Sequence, residues 1–258
     1  MSLIKTNAEI ETMKKGGQIL SKVLQMVIDA VHSGVRICDL DALAEKELLA
    51  RGATPSFKNY QSNPSDIPFP STLCVSVNEE VVHGLGNRKH QLQEGDVVGI
   101  DTGCWFEGLC TDMAITVSVG EISSEAKKLL KVTRQALFDG VNAAIVGAYL
   151  SEVSLAIEEC IKPHGFGIVE VLGGHGVGHA VHESPFIPNF TLHQYQDLKL
   201  KDGMCLALEP MVGLGTCHVK TAEDQWAVIM EDCQISAHFE VTIAIRDSGT
   251  EILTPLPL

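Results

Sequence analysis

Apolar residues recur at helical spacing in four segments of the chain, and these segments come in two pairs. The first pair covers residues 7–32 and 39–51, and the second covers residues 123–146 and 151–162. Strand-like sequence follows each pair, within 72–118 and within 168–245. The pattern therefore predicts two halves, each built from two helices followed by strands.

The first predicted helix is amphipathic. Thr6 or Asn7 provides a polar side chain that can cap its start. Its apolar residues fall roughly on one stripe, and they are Ile10, Met13, Leu20, Val23, Leu24, Val27 and Val31. We expect this stripe to face the core. Two segments rich in polar residues and proline, 58–71 and 183–198, are predicted to be loops.

The two halves resemble each other in sequence. Residues 92–101 match residues 200–209 position for position, as a turn followed by an apolar strand that ends in an acid. Upstream, residues 34–52 resemble residues 147–165. Unless the match is a chance one, the chain is a single catalytic domain over 1–258, with halves of about 1–120 and 121–258. One sheet shared by both halves would place their acidic strand ends close together.

Composition and charge narrow the function classes. Of 258 residues, 45% are hydrophobic, which is enough for a full-sized core. Lys and Arg number 19 against 33 Asp and Glu, and the net charge of −14 argues against nucleic-acid specificity and against anionic membranes. No stretch is long and apolar enough to cross a membrane, and the start lacks a secretory signal, so we predict a cytoplasmic protein. The eight cysteines form no C-x-x-C pair and are predicted to be reduced.

Two acids border a predicted hairpin. Asp101 ends the apolar strand 97–100, and Asp112 opens the next strand. Gly103 and Gly108 between them suit a tight connection. The hairpin would therefore bring the two carboxylates together.

Two further acids interrupt apolar segments in the second half. Glu209 lies between Leu208 and Pro210, and Glu240 lies between Phe239 and Val241. Four carboxylates on one sheet would repel one another, and two divalent cations would neutralise that charge. We therefore predict a two-metal site.

His175 is the fifth candidate ligand. It lies in the glycine-rich segment 173–178, where the backbone can approach closely and let an imidazole enter a pocket. One imidazole with several carboxylates favours manganese, iron(II) or cobalt over a structural zinc. Singly, such residues are more often turn, surface or loop residues. Together and in this order, they favour the metal site.

Five short motifs carry a resemblance to a known family. The chain resembles the type I methionine aminopeptidases of peptidase family M24 over essentially residues 4–254. The matching motifs are NEEVVHG at 78–84, DTG at 101–103 with Asp112, GHGVG at 174–178 with His182, EPMV at 209–212 and SAHFE at 236–240. The resemblance implies an α+β pita-bread (creatinase/aminopeptidase) fold. In that fold, two pseudo-symmetric αα-β halves share a curved, mainly antiparallel sheet with helices on its outer face.

The resemblance also implies the metal ligands. Asp112, His175, Glu209 and Glu240 would hold one ion, and Asp101, with Asp112 and Glu240 bridging, would hold the other. The expected cofactors are two divalent ions, cobalt, manganese or iron(II), with zinc or nickel as alternatives. A water or hydroxide between the ions would attack the peptide bond.

Three catalytic side chains follow from the same resemblance. His182 would donate to the oxyanion, and Glu209 would move a proton from the attacking water to the leaving amine. His83 would contact the substrate backbone or the leaving nitrogen. The alternative for His83 and His182 is a structural role. His179 is assigned no role.

An apolar pocket would select the methionine side chain. The resemblance places Phe69, Cys74, Val181 and Trp226 around it, with Phe57 as a weaker candidate. This chain departs from the family where residues 57–74 form a longer segment than in familiar bacterial members. One expected aromatic has no clear counterpart, and Val181 stands where an aromatic is common. These differences affect the shape of the pocket and leave the metal ligands unchanged.

The implied activity is removal of the initiator methionine when the second residue is small. The expected partners are nascent polypeptide N-termini and the ribosome near its exit tunnel, and the protein is expected to be a monomer. An M24 aminopeptidase with a different N-terminal specificity is the alternative. A prolidase or proline aminopeptidase, a non-catalytic binding module and a purely structural protein are the more distant alternatives.

Overall fold

The four predicted helices are present in the computed structural model, which describes residues 3–192 and 197–257. Each helix begins and ends within a few residues of its predicted bounds. They are α1 (Asn7–Asp29), α2 (Ile37–Ala50), α3 (Ser124–Ala143) and α4 (Leu150–Ile161), and a short 3₁₀ helix, Lys162–His164, extends α4. None of the helices in the described residues has the length and apolarity that crossing a membrane requires.

Helix α1 begins with a capping box. The Thr6 hydroxyl accepts a hydrogen bond from the Glu9 amide, and the Glu9 carboxylate accepts one from the Thr6 amide. Six of the seven predicted stripe residues are buried, and Val31 lies beyond the helix end and is half-buried. The cap and the stripe together orient α1 against the sheet, as the sequence pattern predicts.

The strands are short except for two. Before α3 the chain forms β1 (Thr54–Pro55), β2 (Leu73–Val77), β3 (Glu80–Val82), β4 (Val97–Phe106) and β5 (Leu109–Ser118). After α4 it forms β6 (Gly167–Ile168), β7 (Gly173–Gly176), β8 (Glu183–Pro188), β9 (Cys205–Leu208), β10 (Met211–Gly213), β11 (Val219–Thr221), β12 (Val228–Met230), β13 (Ser236–His238), β14 (Glu240–Ala244) and β15 (Glu251–Ile252).

Nine of these strands form one sheet that contains both halves of the chain. The strand order is β1-β4-β5-β14-β9-β7-β8, with β2 also paired to β4 and β15 to β14. All of the pairs in this sheet are antiparallel. The halves meet where β14 pairs with β5, with Glu240 opposite Ala114. The predicted shared antiparallel sheet is therefore confirmed.

Helices from both halves pack on this sheet in one continuous core. Leu20 and Leu24 of α1, Leu129 of α3, and Ile100 and Met113 of the long hairpin belong to the same buried apolar cluster. Burying apolar surface of this kind is the main favourable contribution to folding. The central strands are therefore packed against the helices through this core.

The predicted hairpin is confirmed, but its strands are longer than expected. Asp101 and Asp112 lie within β4 and β5 and not at the strand ends, because β4 continues to Phe106 and β5 begins at Leu109. Asp101 is opposite Ala114, and Gly103 is opposite Asp112. The two acids are thus diagonal neighbours on one face of the sheet. Only Gly108 lies in the turn, where its φ of +82° suits glycine.

One predicted loop is confirmed and the other is partly wrong. Residues 58–71 form neither helix nor strand. Within 183–198, residues Glu183–Pro188 form β8, which pairs with β7, and residues 193–196 lie outside the described residues. Strand β8 is the last in the sheet order, and an edge strand tolerates proline because one side of its backbone needs no ladder hydrogen bond. The prolines that indicated a loop are therefore compatible with a strand.

The cysteines are all free, as predicted. Four are buried, namely Cys74, Cys104, Cys110 and Cys205. Burial raises the pKa of the Cys104 and Cys205 thiols to about 12, which keeps both protonated and unreactive.

Candidate metal centre

The five predicted ligands line one cavity of about 80 Å³. Asp101 comes from β4 and Asp112 from β5, whereas His175 lies on β7 and Glu240 begins β14. Glu209 directly follows β9. Because β5, β14, β9 and β7 are consecutive in the sheet, side chains that are far apart in the sequence meet on one face.

Two groups of side chains in and beside this cavity have the spacing of metal ligands. Asp112, His175 and Glu240 each offer one ligand atom within 4.8 Å of the others, and so do Glu209, His238 and Glu240. The Nε2 atom of His175 lies 3.5 Å from a Glu209 oxygen and 4.0 Å from a Glu240 oxygen. Glu240 belongs to both groups and therefore lies at the middle of the cluster.

Asp101 lies beside these groups and belongs to neither of them among the described residues. It lines the same cavity and is buried. Its Oδ1 atom has no hydrogen-bond partner in the described part of the chain, and the same holds for Asp112 Oδ1 and Glu240 Oε1. Buried oxygens without partners are costly, so these atoms are suited to a cation.

The carboxylates of this cluster are strongly perturbed. Burial raises the pKa of Asp112 to about 7. Burial, together with repulsion from neighbouring acids, raises the pKa of Asp101, Glu209 and Glu240 well above the usual range. The described residues around the cavity include no lysine or arginine that could neutralise the charge. The cluster therefore ionises fully only when cations supply the missing positive charge.

His175 is oriented by its own strand. Its Nδ1 lies 2.9 Å from the Gly176 carbonyl oxygen, and a carbonyl can only accept, so Nδ1 carries the proton. Burial lowers the pKa of His175 to about 3, which leaves Nε2 unprotonated toward the carboxylates. A Cβ on Gly174 would lie 2.3 Å from the Ala207 carbonyl oxygen. The glycine before His175 is therefore required for the close strand packing that the sequence predicted.

The two predicted catalytic histidines lie on the wall of the same cavity. The ring of His182 meets the ring of His175 edge to face, with centroids 4.5 Å apart. His83 has a φ of +60°, a left-handed conformation that costs energy for a non-glycine residue. Burial lowers the pKa of His83 to about 4 and also lowers the pKa of His182. Both imidazoles are therefore neutral at pH 7.

The predicted pocket residues lie beside the carboxylates, with one exception. Phe69, Cys74, Trp226 and the weaker candidate Phe57 line the cavity. The rings of Phe69 and Trp226 are 5.1 Å apart and edge to face. Val181 is not among the lining residues. It is buried in the apolar cluster that includes these aromatic side chains, so it supports them from behind.

Sequence reasoning missed three polar residues of the cavity and its surroundings. Tyr60 and Ser62, from the 58–71 loop, line the cavity, and the Tyr60 hydroxyl lies 2.7 Å from His182 Nδ1. His238 lies 3.5 Å from a Glu209 oxygen, and burial lowers its pKa to about 3. His238 stands two residues before Glu240, so alternation along a strand would have placed both on one face. No comparable signal in the sequence indicates Tyr60.

The donor set fits divalent cations. Four carboxylates with raised pKa, one imidazole with a free nitrogen and unpartnered buried oxygens form an oxygen-rich site. Such a set suits hard or borderline ions such as manganese, iron(II) or cobalt. The neighbouring apolar pocket makes the site a peptide-binding candidate, because a substrate side chain can pack there.

Comparison with known proteins also indicates a metallopeptidase. The model of metallopeptidase family M24 matches residues 11–247. A methionine aminopeptidase of Clostridium acetobutylicum is 42% identical over 254 residues, which cover 98% of this chain and 99% of the relative. The chain thus spans essentially the full length of this relative.

Solved structures agree with the predicted fold. The crystal structure of a methionine aminopeptidase from Thermotoga maritima has a TM-score of 0.92 and 39% identity, and the match covers 97% of this chain and 98% of that one. A prolidase from Pyrococcus furiosus has a TM-score of 0.79 at 24% identity, covering 99% of this chain and 66% of that one. The second likeness concerns the fold alone. Together they confirm the predicted pita-bread architecture.

Proposed function

We propose that this chain, which belongs to metallopeptidase family M24, removes the N-terminal methionine from polypeptides whose second residue is small. The observation that carries the proposal is the buried carboxylate cluster with an aromatic pocket against it. Full-length similarity to methionine aminopeptidases supports it. The enzyme is thus a metal-dependent hydrolase of the aminopeptidase class.

The proposed cofactors are two divalent ions, cobalt, manganese or iron(II), with zinc or nickel as alternatives. Asp112, His175, Glu209 and Glu240 would hold one ion, and Asp101, with Asp112 and Glu240 bridging, would hold the other. Bound there, the cations would acidify water and polarise the scissile carbonyl. The unpartnered oxygens of Asp101, Asp112 and Glu240 support this assignment.

The chain's own side chains would carry the protons. Glu209 has a raised pKa, so it can accept a proton from the attacking water and pass it to the leaving amine. A hydroxyl of Tyr60 that donates to Nδ1 of His182 leaves the proton of this neutral imidazole on Nε2. His182 would then donate from Nε2 to the oxyanion. His83 would hydrogen-bond the substrate backbone or the leaving nitrogen.

The pocket would accept the methionine side chain by packing. Phe57, Phe69, Cys74 and Trp226 offer an apolar and aromatic surface, and a thioether makes favourable contacts with aromatic rings. Val181, behind this layer, would set how far the rings can move. Because one methylene changes selectivity only about tenfold to two-hundredfold, the alternative is an M24 aminopeptidase with a different N-terminal preference.

The remaining assignments concern the setting of the reaction. We place the activity in the cytoplasm, on nascent polypeptide N-termini near the ribosomal exit tunnel. The chain would act as a monomer, with residues 1–258 forming one catalytic domain. The net charge of −14 gives no general attraction to RNA, so any contact with the ribosome would be local.

Cleavage combined with metal analysis tests the proposal. The purified protein, loaded with Mn(II) or Co(II), should release methionine from Met-Ala-Ser much faster than leucine from Leu-Ala-Ser, and should leave Ala-Pro peptides intact. Asp112→Asn should lose most of the activity and bound metal, whereas Asp139→Asn on α3 should retain both. Preferential cleavage of the x-Pro peptide, or full activity of Asp112→Asn, would contradict it.

A further inference from the structure

A second cavity of about 450 Å³ opens directly beside the metal centre. Five residues line both cavities, namely Val82, His83, His175, His182 and Glu209. The inner cavity is much smaller, at about 80 Å³. The two spaces are therefore continuous, and the candidate ligands lie at their junction.

The outer cavity has an apolar wall that reaches the surface. Val171 is 71% exposed and Phe186 is 41% exposed, and Leu172 and Met211 continue the wall inward. Large apolar side chains grouped at the mouth of a site commonly mark a binding surface. We name Val171, Leu172 and Phe186 the apolar shelf.

The strand register ties the apolar shelf to the metal centre. Phe186 on β8 is directly opposite His175 on β7, and side chains directly opposite each other project to the same face of a sheet. A Cβ on Gly173 would lie 3.1 Å from two atoms of the Phe186 ring. The absence of a side chain at Gly173 therefore allows the ring to lie against β7.

The direction in which an aminopeptidase substrate is bound, with its N-terminal residue innermost, decides which of its residues reaches the apolar shelf. If the first side chain occupies the small inner cavity, the scissile bond lies at the candidate ligands and the rest of the peptide leaves through the outer cavity. In an extended peptide the first and third side chains point to the same side, about 7 Å apart. The third residue is therefore the one that faces the wall next to His175.

We infer that the apolar shelf of Val171, Leu172 and Phe186 is a subsite for an apolar side chain at the third position of the substrate. The inference rests on the proposed function and adds a second determinant of substrate choice. Methionine and the small second residue decide whether cleavage occurs. The third residue sets how fast it occurs, because burying an apolar side chain there stabilises the bound peptide and its transition state.

Two peptides that differ only at the third residue test the inference. The unmodified enzyme should cleave Met-Ala-Leu-Ser with a kcat/KM about fivefold above that for Met-Ala-Ser-Ser, the size of effect that partial burial of one leucine side chain supports. Phe186→Ala and Val171→Ser should each reduce the ratio of the two values toward 1. Leu155→Ala removes a comparably exposed apolar side chain from α4 and should leave the ratio unchanged.

The outcomes separate the subsite from the activity itself. A ratio near 1 in the unmodified enzyme, or a ratio unaffected by both shelf substitutions, would overturn the subsite while methionine release continued. An unmodified, metal-loaded enzyme that releases no methionine from either peptide would overturn the proposed function and the subsite together. The ratio is independent of the fraction of active enzyme, so a poorly folding variant does not imitate either result.

Discussion

The hydroxyl of Tyr60 lies 2.7 Å from Nδ1 of His182, so the 58–71 loop is hydrogen-bonded to the imidazole proposed to stabilise the oxyanion. Tyr60 is itself held by backbone hydrogen bonds to Phe57 and Phe69. The 58–71 loop therefore positions a proposed catalytic group.

Tyr60→Phe should lower kcat about tenfold and change KM little. Without the hydroxyl, the proton of neutral His182 is free to move to Nδ1, which leaves no donor on Nε2. Because the oxyanion that this donor would stabilise forms only in the transition state, its loss should lower kcat and not raise KM. Steady-state kinetics on Met-Ala-Ser measure the effect. Tyr149→Phe, an exposed tyrosine at the start of α4, is the control. Unchanged kcat in Tyr60→Phe would show that the hydrogen bond is not used.

Metal binding should release protons, and more of them at pH 6 than at pH 8. The pKa of Asp112 is about 7 in the folded protein against 3.8 ordinarily, so its proton is bound below pH 7 and must leave when a cation binds. Apparent affinity for Mn(II) should therefore fall as pH drops below about 7. Calorimetric titration in two buffers of different ionisation enthalpy counts the protons.

The same raised pKa makes the stability of the metal-free protein depend on pH. The folded state binds the Asp112 proton more tightly than the unfolded state does. The resulting contribution to stability is complete below pH 3.8 and is lost as pH rises through about 7. Asp139→Asn on α3, which should keep its metal, should release as many protons as the unmodified protein at both pH values. Proton release that does not depend on pH between 6 and 8 would contradict the assignment of Asp112 as a ligand.

Lys5→Met should destabilise the fold by about 3–5 kcal/mol, the cost of leaving one partner of a buried ion pair alone. The Lys5 ammonium lies 2.5 Å from a Glu183 oxygen, and the side-chain exposures are 0% and 7%. The other Glu183 oxygen accepts hydrogen bonds from the His179 and Ala180 amides. Urea unfolding measures the change.

Two further variants give this prediction its controls. Lys127→Met removes a lysine from an exposed pair with Glu121 and should leave stability unchanged within error. Lys5→Met combined with Glu183→Gln should recover part of the loss, because the second change removes the unpaired charge. A double variant as unstable as Lys5→Met alone would mean that packing, and not charge, dominates at Lys5.

His238→Asn should lower activity about tenfold at saturating metal, the usual cost of losing a polar group next to metal ligands. Its Nε2 lies 3.5 Å from Glu209 and 3.9 Å from Glu240, so the ring limits how these carboxylates can turn. Metal analysis together with kcat/KM separates loss of ion from loss of orientation. His164→Asn, in the 3₁₀ helix that extends α4, is the matched control and should leave activity and metal content unchanged. Wild-type activity and metal content in His238→Asn would contradict the role.

Much of the architecture was predictable because it depends on local pattern. The stripe of α1 and the cap at Thr6 follow from helical periodicity and from the unpaired amides at a helix start. The hairpin around Gly108 follows from the turn conformation that glycine favours. The internal repeat correctly predicted that strands of both halves share one sheet, with Glu240 of β14 on the strand beside Asp112 of β5.

Other features depended on pairing between distant segments. The register between β7 and β8 places Phe186 next to His175, although the prolines of β8 had indicated a loop. The path of the 58–71 loop brings Tyr60 to His182, which is 122 residues away. The sequence by itself determined the helices, the shared sheet and the five candidate ligands. Hydrophobic periodicity depends only on neighbouring residues, and the cost of burying a carboxylate depends only on the type of residue. Only the tertiary structure decided the neighbours of those ligands, because contacts between distant residues depend on strand order and register.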